Sequence, residues 1–163
     1  MLFQSFAKNF GLYGERAGCI SFITGSKEEK ETCMSRLKVL ARALYSNPPI
    51  HGARIVDIIL SDPELTKMWH NDLKVMSGRM KEMRHGLHKN LKDLGNEHNW
   101  DHVINQIGMF AYTGLNKDMV NELREKYAIY MTMDGRISIA GLNTSNLGYI
   151  SEAFHAVTKG KQF

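Results

Sequence analysis

The stretch Ser5-Phe6-Ala7-Lys8-Asn9-Phe10-Gly11-Leu12-Tyr13-Gly14-Glu15-Arg16 decides how the rest of the chain is read. Its first residues continue an apolar start through Leu2 and Phe3, so residues 2–8 read as a short strand or strand end, with Asn9, Gly11 and Gly14 marking a loop. So abrupt an apolar start predicts a strand with further neighbours before Met1. Residues 1–10 hold one lysine and no acid, yet they lack the Arg- and Ser-rich character of an import presequence and read as structure. Ser5 and Lys8 stand at the S-x-x-K spacing that serine acyl-enzymes use, but the S-D-N and K-T-G elements that accompany it there are absent from the sequence. Taken alone, Lys8 is a lysine snorkelling from a strand end.

Working outward, the β-branched and aromatic run 18–24 predicts a second strand. Ser26 followed by Glu28 and Glu29 predicts a capped helix to about residue 45, because acids in a first turn complement the helix dipole. Ser46-Asn47-Pro48-Pro49 breaks it. Residues 51–60 predict another helix. Asp62 then caps a long one that opens on Pro63. Leu65, Met68, Trp69, Leu73, Met76, Met80, Met83, Leu87, Leu91 and Leu94 recur at steps of three and four, which predicts a single apolar stripe on a helix about 45 Å long. A helix of that length in so short a chain is expected to bridge two lobes or form an interface. Gly95-Asn96 ends it. Beyond lies a small α+β unit: a strand over 103–113, a helix over 116–127 capped by Asn116, strands at 129–132 and 136–142 around the Asp134-Gly135 turn, and a final helix over 146–157.

Length and composition bound these readings. The chain has 163 residues, 43% hydrophobic and 23% charged, with three prolines and no repeat, which is a globular composition and excludes disorder and collagen-like structure. Two cysteines are too few for a disulfide framework and fit a reducing compartment. The net charge of +4 draws anions mildly, but basic and acidic residues alternate along the chain, so no nucleic-acid partner is expected. No apolar run reaches the length of a membrane span, so no membrane role is expected either. His98 and His102 are four apart, yet no acid or cysteine of motif quality accompanies them and no H-E-x-x-H is formed, so they read as polar loop residues and no metal is expected. The ten methionines read as adaptable core filling.

The run 5–16 resembles, nearly residue for residue, the cofactor-lysine segment of the aspartate aminotransferases, fold-type I enzymes that use pyridoxal 5'-phosphate. The resemblance continues through Tyr45-Ser46-Asn47-Pro48-Pro49-Ile50-His51-Gly52-Ala53-Arg54-Ile55, Gln106-Ile107-Gly108-Met109-Phe110, Thr113-Gly114-Leu115, Ile129-Tyr130-Met131-Thr132 and Asp134-Gly135-Arg136-Ile137-Ser138, so that it covers essentially the whole chain. It implies an α/β architecture of α+β character with three parts: residues 1–62 as the end of a large cofactor-binding domain, 63–95 as a linking helix, and 96–163 as a small domain.

The resemblance also implies roles. Lys8 corresponds to the lysine that forms the Schiff base with the cofactor aldehyde and later shuttles a proton at the substrate Cα. Ser5 and Arg16 correspond to the hydroxyl and guanidinium that hold the cofactor phosphate, where a planar fork grips two oxygens. On residue type alone, Arg16 would instead pair with Glu15 or Glu28. Arg136 corresponds to the arginine on the substrate α-carboxylate. Arg42 corresponds to the one that reaches the distal carboxylate from a neighbouring subunit of a homodimer, which implies dicarboxylic amino-acid and 2-oxo-acid substrates. Nothing in the chain matches the ring-nitrogen carboxylate, the stacked aromatic or the phosphate-cradling helix of the family, all of which precede the lysine there. The expectation is therefore a C-terminal half, inactive by itself, of an enzyme exchanging an amino group between aspartate and 2-oxoglutarate. The alternative is a non-catalytic binding or dimerisation module of the same descent. The basic pI near 9.1 and the phrases His98-Asn99-Trp100 and Ile129-Tyr130-Met131-Thr132 lean toward the mitochondrial members.

Overall fold

A computed structural model describes residues 1–162, which divide into two compact units, Met1–Leu73 and the chain from Lys74 onward. In the first unit, β1 (Leu2–Ser5) pairs antiparallel with β2 (Gly18–Ser21), with Leu2 opposite Ser21 and Ser5 opposite Gly18. A Cβ on Gly18 would lie 2.7 Å from the Gln4 carbonyl oxygen, so this close approach of strands requires glycine. Both strands are shorter than the sequence predicts. One further bond, from the Phe6 N–H to the Ala17 carbonyl at 3.1 Å, closes the pairing, and the chain turns where the Gly11 N–H meets the Lys8 carbonyl at 3.2 Å.

Helix α1 (Lys27–Tyr45) starts as predicted, Ser26 accepting the Glu29 N–H at 3.1 Å while the Glu29 carboxylate reaches back to the Gly25 N–H at 2.6 Å. No residue of α1 is buried. Helix α2 (His51–Ser61) comes close to the β1–β2 loop, since a Cβ on Gly52 would lie 2.9 Å from those of Glu15 and Ala17. Asp62 caps α3 (Pro63–Asp93), accepting from the Glu64 and Leu65 N–H groups at 2.8 and 3.0 Å.

The stripe on α3 is buried unevenly. Met83, Leu87 and Leu91 enter the core of the second unit, with Met80 packed against it, whereas Met68 and Met76 are exposed. The methionines accordingly divide between core filling (Met83 and Met119) and surface (Met34, Met68, Met76 and Met133). The core is completed by Trp100 and Val103 around α4 (Asp101–Asn105), by Met119, Val120 and Leu123 of α5 (Lys117–Tyr127), and by Ala153, Phe154 and Val157 of α6 (Leu147–Thr158). The predicted cap holds for α5, where the Asn116 side chain accepts the Asp118 and Met119 N–H groups at 3.1 Å each.

Three strand predictions need correction. The apolar run 103–113 is split, because residues 101–105 are helical and Gly108 takes a φ of +99°, leaving only β3 (Phe110–Tyr112) extended. β3 pairs antiparallel with β4 (Arg136–Ser138), Ala111 opposite Ile137 and Tyr112 opposite Arg136. Residues 129–132 therefore form no strand. They contribute Ile129 and Met131 to the edge of the core and close a tight turn, with the Gly135 N–H on the Thr132 carbonyl at 3.0 Å. Gly135 has φ +83°, and a Cβ there would stand 2.6 Å from the Leu115 carbonyl oxygen. The ladder stops at Ser138 because the Ile139 N–H turns to the Met109 carbonyl at 2.8 Å and residues 139–141 form a 3-10 turn. Among the described residues no helix is long and apolar enough to cross a membrane.

Candidate functional site

Ser5, Lys8, Arg16 and Arg42 belong to the first unit and Arg136 to the second. Lys8 lies in the β1–β2 loop, exposed, with Nζ 4.3 Å from the centroid of the Tyr13 ring, a cation–π contact of about 0.5–1 kcal/mol at an exposed site. Its neighbours are pinned while its own side chain projects. The Phe10 ring stacks on Trp69 with centroids 4.5 Å apart, Phe6 meets Phe10 edge-on at 5.3 Å, and the Trp69 indole N–H donates to the Asn9 carbonyl at 2.8 Å. The loop is thus fastened to α3 through Asn9 and Phe10, just after the lysine, with Phe6 packed on Phe10 from before it.

Ser5 ends β1, and its Oγ accepts the Ala7 N–H at 3.2 Å. Arg16 occupies the left-handed region at φ +51°, a strained conformation for a non-glycine residue, and its Nη1 donates to the Tyr13 carbonyl at 3.2 Å. The ion pair that residue type alone would give Arg16 does not form, since Glu15 turns to His51 Nδ1 at 3.0 Å. Ser5 and Arg16 line one cavity of about 340 Å³ together with Phe3, Gln4, Ala7, Ala17 and Gly18. No acidic side chain lines it, so a hydroxyl and a guanidinium face an acid-free hollow, a donor set that fits a phosphate dianion. Lys8 and Arg42 are not in its lining. Arg42 stands exposed in the last turn of α1, where its carbonyl accepts the Ser46 N–H at 3.2 Å.

Arg136 opens β4. The alternation of the ladder buries Ala111 and Ile137 and turns Phe110, Tyr112 and Arg136 to the opposite, exposed face. The guanidinium carbon lies 5.6 Å from the Phe110 ring centroid. The Arg136 N–H donates to Thr132 Oγ1 and Asp134 Oδ1, each at 3.2 Å, while the Thr132 hydroxyl bonds both the Asp134 carboxylate and the Arg136 carbonyl. The Thr132 hydroxyl, and after it the Arg136 N–H, hold the Asp134 carboxyl below the usual carboxylate range. The fork of Arg136 makes no side-chain hydrogen bond or ion pair among the described residues, so both of its edges are available to a carboxylate.

The two histidines singled out by their spacing brace the backbone. His98 Nε2 contacts the Thr158 carbonyl at 3.1 Å and His102 Nε2 the Thr113 carbonyl at 3.0 Å. The described residues contain no group of three metal-ligating side chains. Two side chains that carry the local architecture escape a reading by sequence. Trp69 bonds a residue sixty positions away and has no local signal for it. Arg84 had one, because it falls in step with Met80, Leu87 and Leu91 on the apolar stripe, and a charge at an inward position is a question in itself.

Comparison with known proteins places this geometry. The chain is 55% identical over 159 residues to a mitochondrial aspartate aminotransferase of Schizosaccharomyces pombe, covering 97% of this chain and 36% of that protein. It is 52% identical over 159 residues to a mitochondrial aspartate aminotransferase of Gallus gallus, covering 98% of this chain and 38% of that protein. An aromatic-amino-acid aminotransferase of Burkholderia pseudomallei, solved covalently bound to pyridoxal phosphate, superposes with a TM-score of 0.92 at 45% identity over 96% of this chain and 39% of that one. The chain thus spans a little over a third of the length of the curated relatives it matches. A family model of class I and II aminotransferases matches residues 1–154, and the chain belongs to that family.

Proposed function

We propose that this chain supplies the C-terminal part of a pyridoxal-phosphate-dependent aspartate aminotransferase that exchanges an amino group between L-aspartate and 2-oxoglutarate. One observation carries the reading: Ser5 and Arg16 face an acid-free cavity in the same hairpin whose loop holds Lys8 projecting between pinned neighbours. The names of the relatives and the cofactor in the solved aminotransferase support it.

When bound, pyridoxal phosphate supplies an aldehyde that condenses with amines and a ring that withdraws electrons from the substrate Cα. The Ser5 hydroxyl and the Arg16 fork bind its phosphate and fix its register. The Lys8 amine, when neutral, takes the proton from the substrate Cα and delivers it to the carbon that comes from the cofactor aldehyde, a task suited to an exposed side chain whose neighbours in the loop are fastened. Arg136 orients the α-carboxylate. Arg42, reaching across a homodimer, orients the distal one, which selects dicarboxylic amino acids and 2-oxo acids. Residues 1–62 would complete a large domain, 63–95 link it and 96–163 form a small domain. The mitochondrial names among the relatives support a mitochondrial location.

Borohydride reduction of the full-length protein loaded with pyridoxal phosphate, followed by peptide mass spectrometry, tests the central assignment. The expected result is a cofactor label on the peptide containing Lys8, and loss of amino transfer by at least about 10²–10⁴-fold in Lys8→Ala. A label on a different lysine would refute the nucleophile. Dimerisation with no cofactor uptake would replace the enzyme reading with that of a non-catalytic module.

A further inference from the structure

Arg84 is a buried cation for which the proposed reaction has no use. It sits on α3, 3% exposed, and forms no ion pair among the described residues. Its guanidinium instead donates to three main-chain carbonyls: Nη1 to Val103 at 2.7 Å, and Nη2 to Gly108 at 2.8 Å and to Phe110 at 2.7 Å. Burial without a counter-charge is unfavourable, and desolvation lowers the affinity of the group for its proton. An apolar side chain of similar bulk would fill this position of the stripe at less cost. What an apolar side chain could not do is hold three carbonyls at once with one planar fork.

The three acceptors all belong to residues 103–110, where the chain leaves α4, passes the almost fully exposed Ile107 and bends at Gly108 before β3. The far side of β3 is clipped by the Gln106 side chain, which donates to the Tyr112 carbonyl at 2.9 Å and accepts the Tyr112 N–H at 2.7 Å. Arg84 therefore fixes the main chain of Phe110, and the Phe110 ring is the surface on which the Arg136 guanidinium rests. Because the fork of Arg136 has no side-chain hydrogen bond among the described residues, its tilt follows that ring.

We propose that Arg84 is a positioning residue for carboxylate recognition: through Phe110 it sets the angle at which the Arg136 fork meets a carboxylate. The proposal rests on the assignment of Arg136 as the carboxylate-binding arginine.

Succinate binding to the full-length, cofactor-loaded protein, measured by calorimetry, tests it. Arg84→Met and Arg84→Lys should each weaken succinate by about tenfold, since a misaligned bidentate pair loses on the order of one charge-assisted hydrogen bond. In steady-state kinetics the loss should fall on KM, with kcat changed less than about threefold. Phe110→Leu reaches the same link without touching the buried guanidinium and should weaken succinate several-fold even where the Arg84 variants fold poorly. In an Arg136→Lys background, Arg84→Met should add no further loss, the signature of two residues acting in series. Unchanged affinity in the Arg84 and Phe110 variants, or an undiminished extra loss in the Arg136→Lys background, would overturn the proposal. Unchanged affinity in Arg136→Lys alone would remove the assignment of Arg136 itself, and the proposal with it.

Discussion

The two units bury their apolar residues very differently. From Lys74 onward, Leu87, Leu91, Val103, Leu123, Ile139, Phe154 and Val157 are each 0–1% exposed in one continuous cluster. In Met1–Leu73 only Leu12 and Val56 are buried among the large apolar side chains, while Ile23 is 98% and Leu44 77% exposed and α1 buries nothing. The order of the first unit comes instead from local devices: the Ser26 and Asp62 caps, the two-stranded hairpin, and the Phe6–Phe10–Trp69 group. Four of the five residues read as chemical are on this thinly buried unit. Asn9, beside Lys8, even keeps a buried Oδ1 with no hydrogen-bond partner among the described residues, which costs about 1–3 kcal/mol. The contrast teaches that packing and chemistry are distributed separately along this chain.

The sharpest way to break the contrast is to cut into each unit with the same kind of substitution. Phe154→Ala removes a ring that is 1% exposed and stacked near Trp100, with centroids 5.9 Å apart, and should cost about 3–5 kcal/mol in thermal unfolding of the 163-residue chain. Leu44→Ala in the same chain should stay within about 0.5 kcal/mol. Similar losses in the two variants would show that the first unit has a core of its own. Native-state hydrogen exchange carries the same comparison to single amides. Those of α6 and of 87–91 should exchange only by global opening, whereas those of α1 should exchange through local fraying orders of magnitude faster.

A second pair of substitutions asks how tightly the Arg136 turn is built. Gly135→Ala combines φ +83° with a Cβ placed 2.6 Å from a backbone oxygen that cannot yield, and should cost about 1–3 kcal/mol and displace Arg136. Gly108→Ala meets no atom within 4 Å and bears only the strain of φ +99°, so it should cost about 1 kcal/mol. Chemical denaturation of both variants checks the ranking, and equal costs would show that the close contact at Leu115 relaxes.

What could be read from the sequence follows from where each interaction closes. Ser26, Asp62 and Asn116 cap their helices through bonds spanning two or three residues, so the local pattern contains the whole device. The Asp134-Gly135 turn was legible for the same reason. Its ladder was not, because Ile137 pairs with Ala111 across 26 positions while Ile129 and Met131 pack against the core without joining a strand. The run 103–113 misled because a single helical turn that buries Val103 and a short strand have similar apolar content until Gly108 divides them. At the candidate site, Ser5, Lys8 and Arg16 lie on one hairpin and are visible together. The Trp69–Asn9 bond and the Arg84 clamp join distant residues: no local spacing announces the first, and the second shows only as a charge in step with the apolar stripe, without its acceptors.

The smallest expected effect is electrostatic and belongs to the second unit. Asp101 Oδ1 lies 2.8 Å from His88 Nε2, joining α3 to α4, and that hydrogen bond, aided by Asn99, holds the Asp101 carboxyl below its ordinary value of about 3.9. A carboxyl depressed in the folded state contributes stability that is fully present above its unfolded value, and that is lost as pH falls through the folded one. Asp101→Asn removes the titrating carboxyl, so the difference in Tm between the parent chain and the variant should shrink as pH falls below the ordinary carboxylate value of about 3.9. The carboxylate is well exposed, so the difference should be a degree or two and should fall further in high salt. A difference that instead grew as pH fell below about 3.9 would mean that the pair holds the chain together only when Asp101 is protonated, opposite to the direction its contacts dictate.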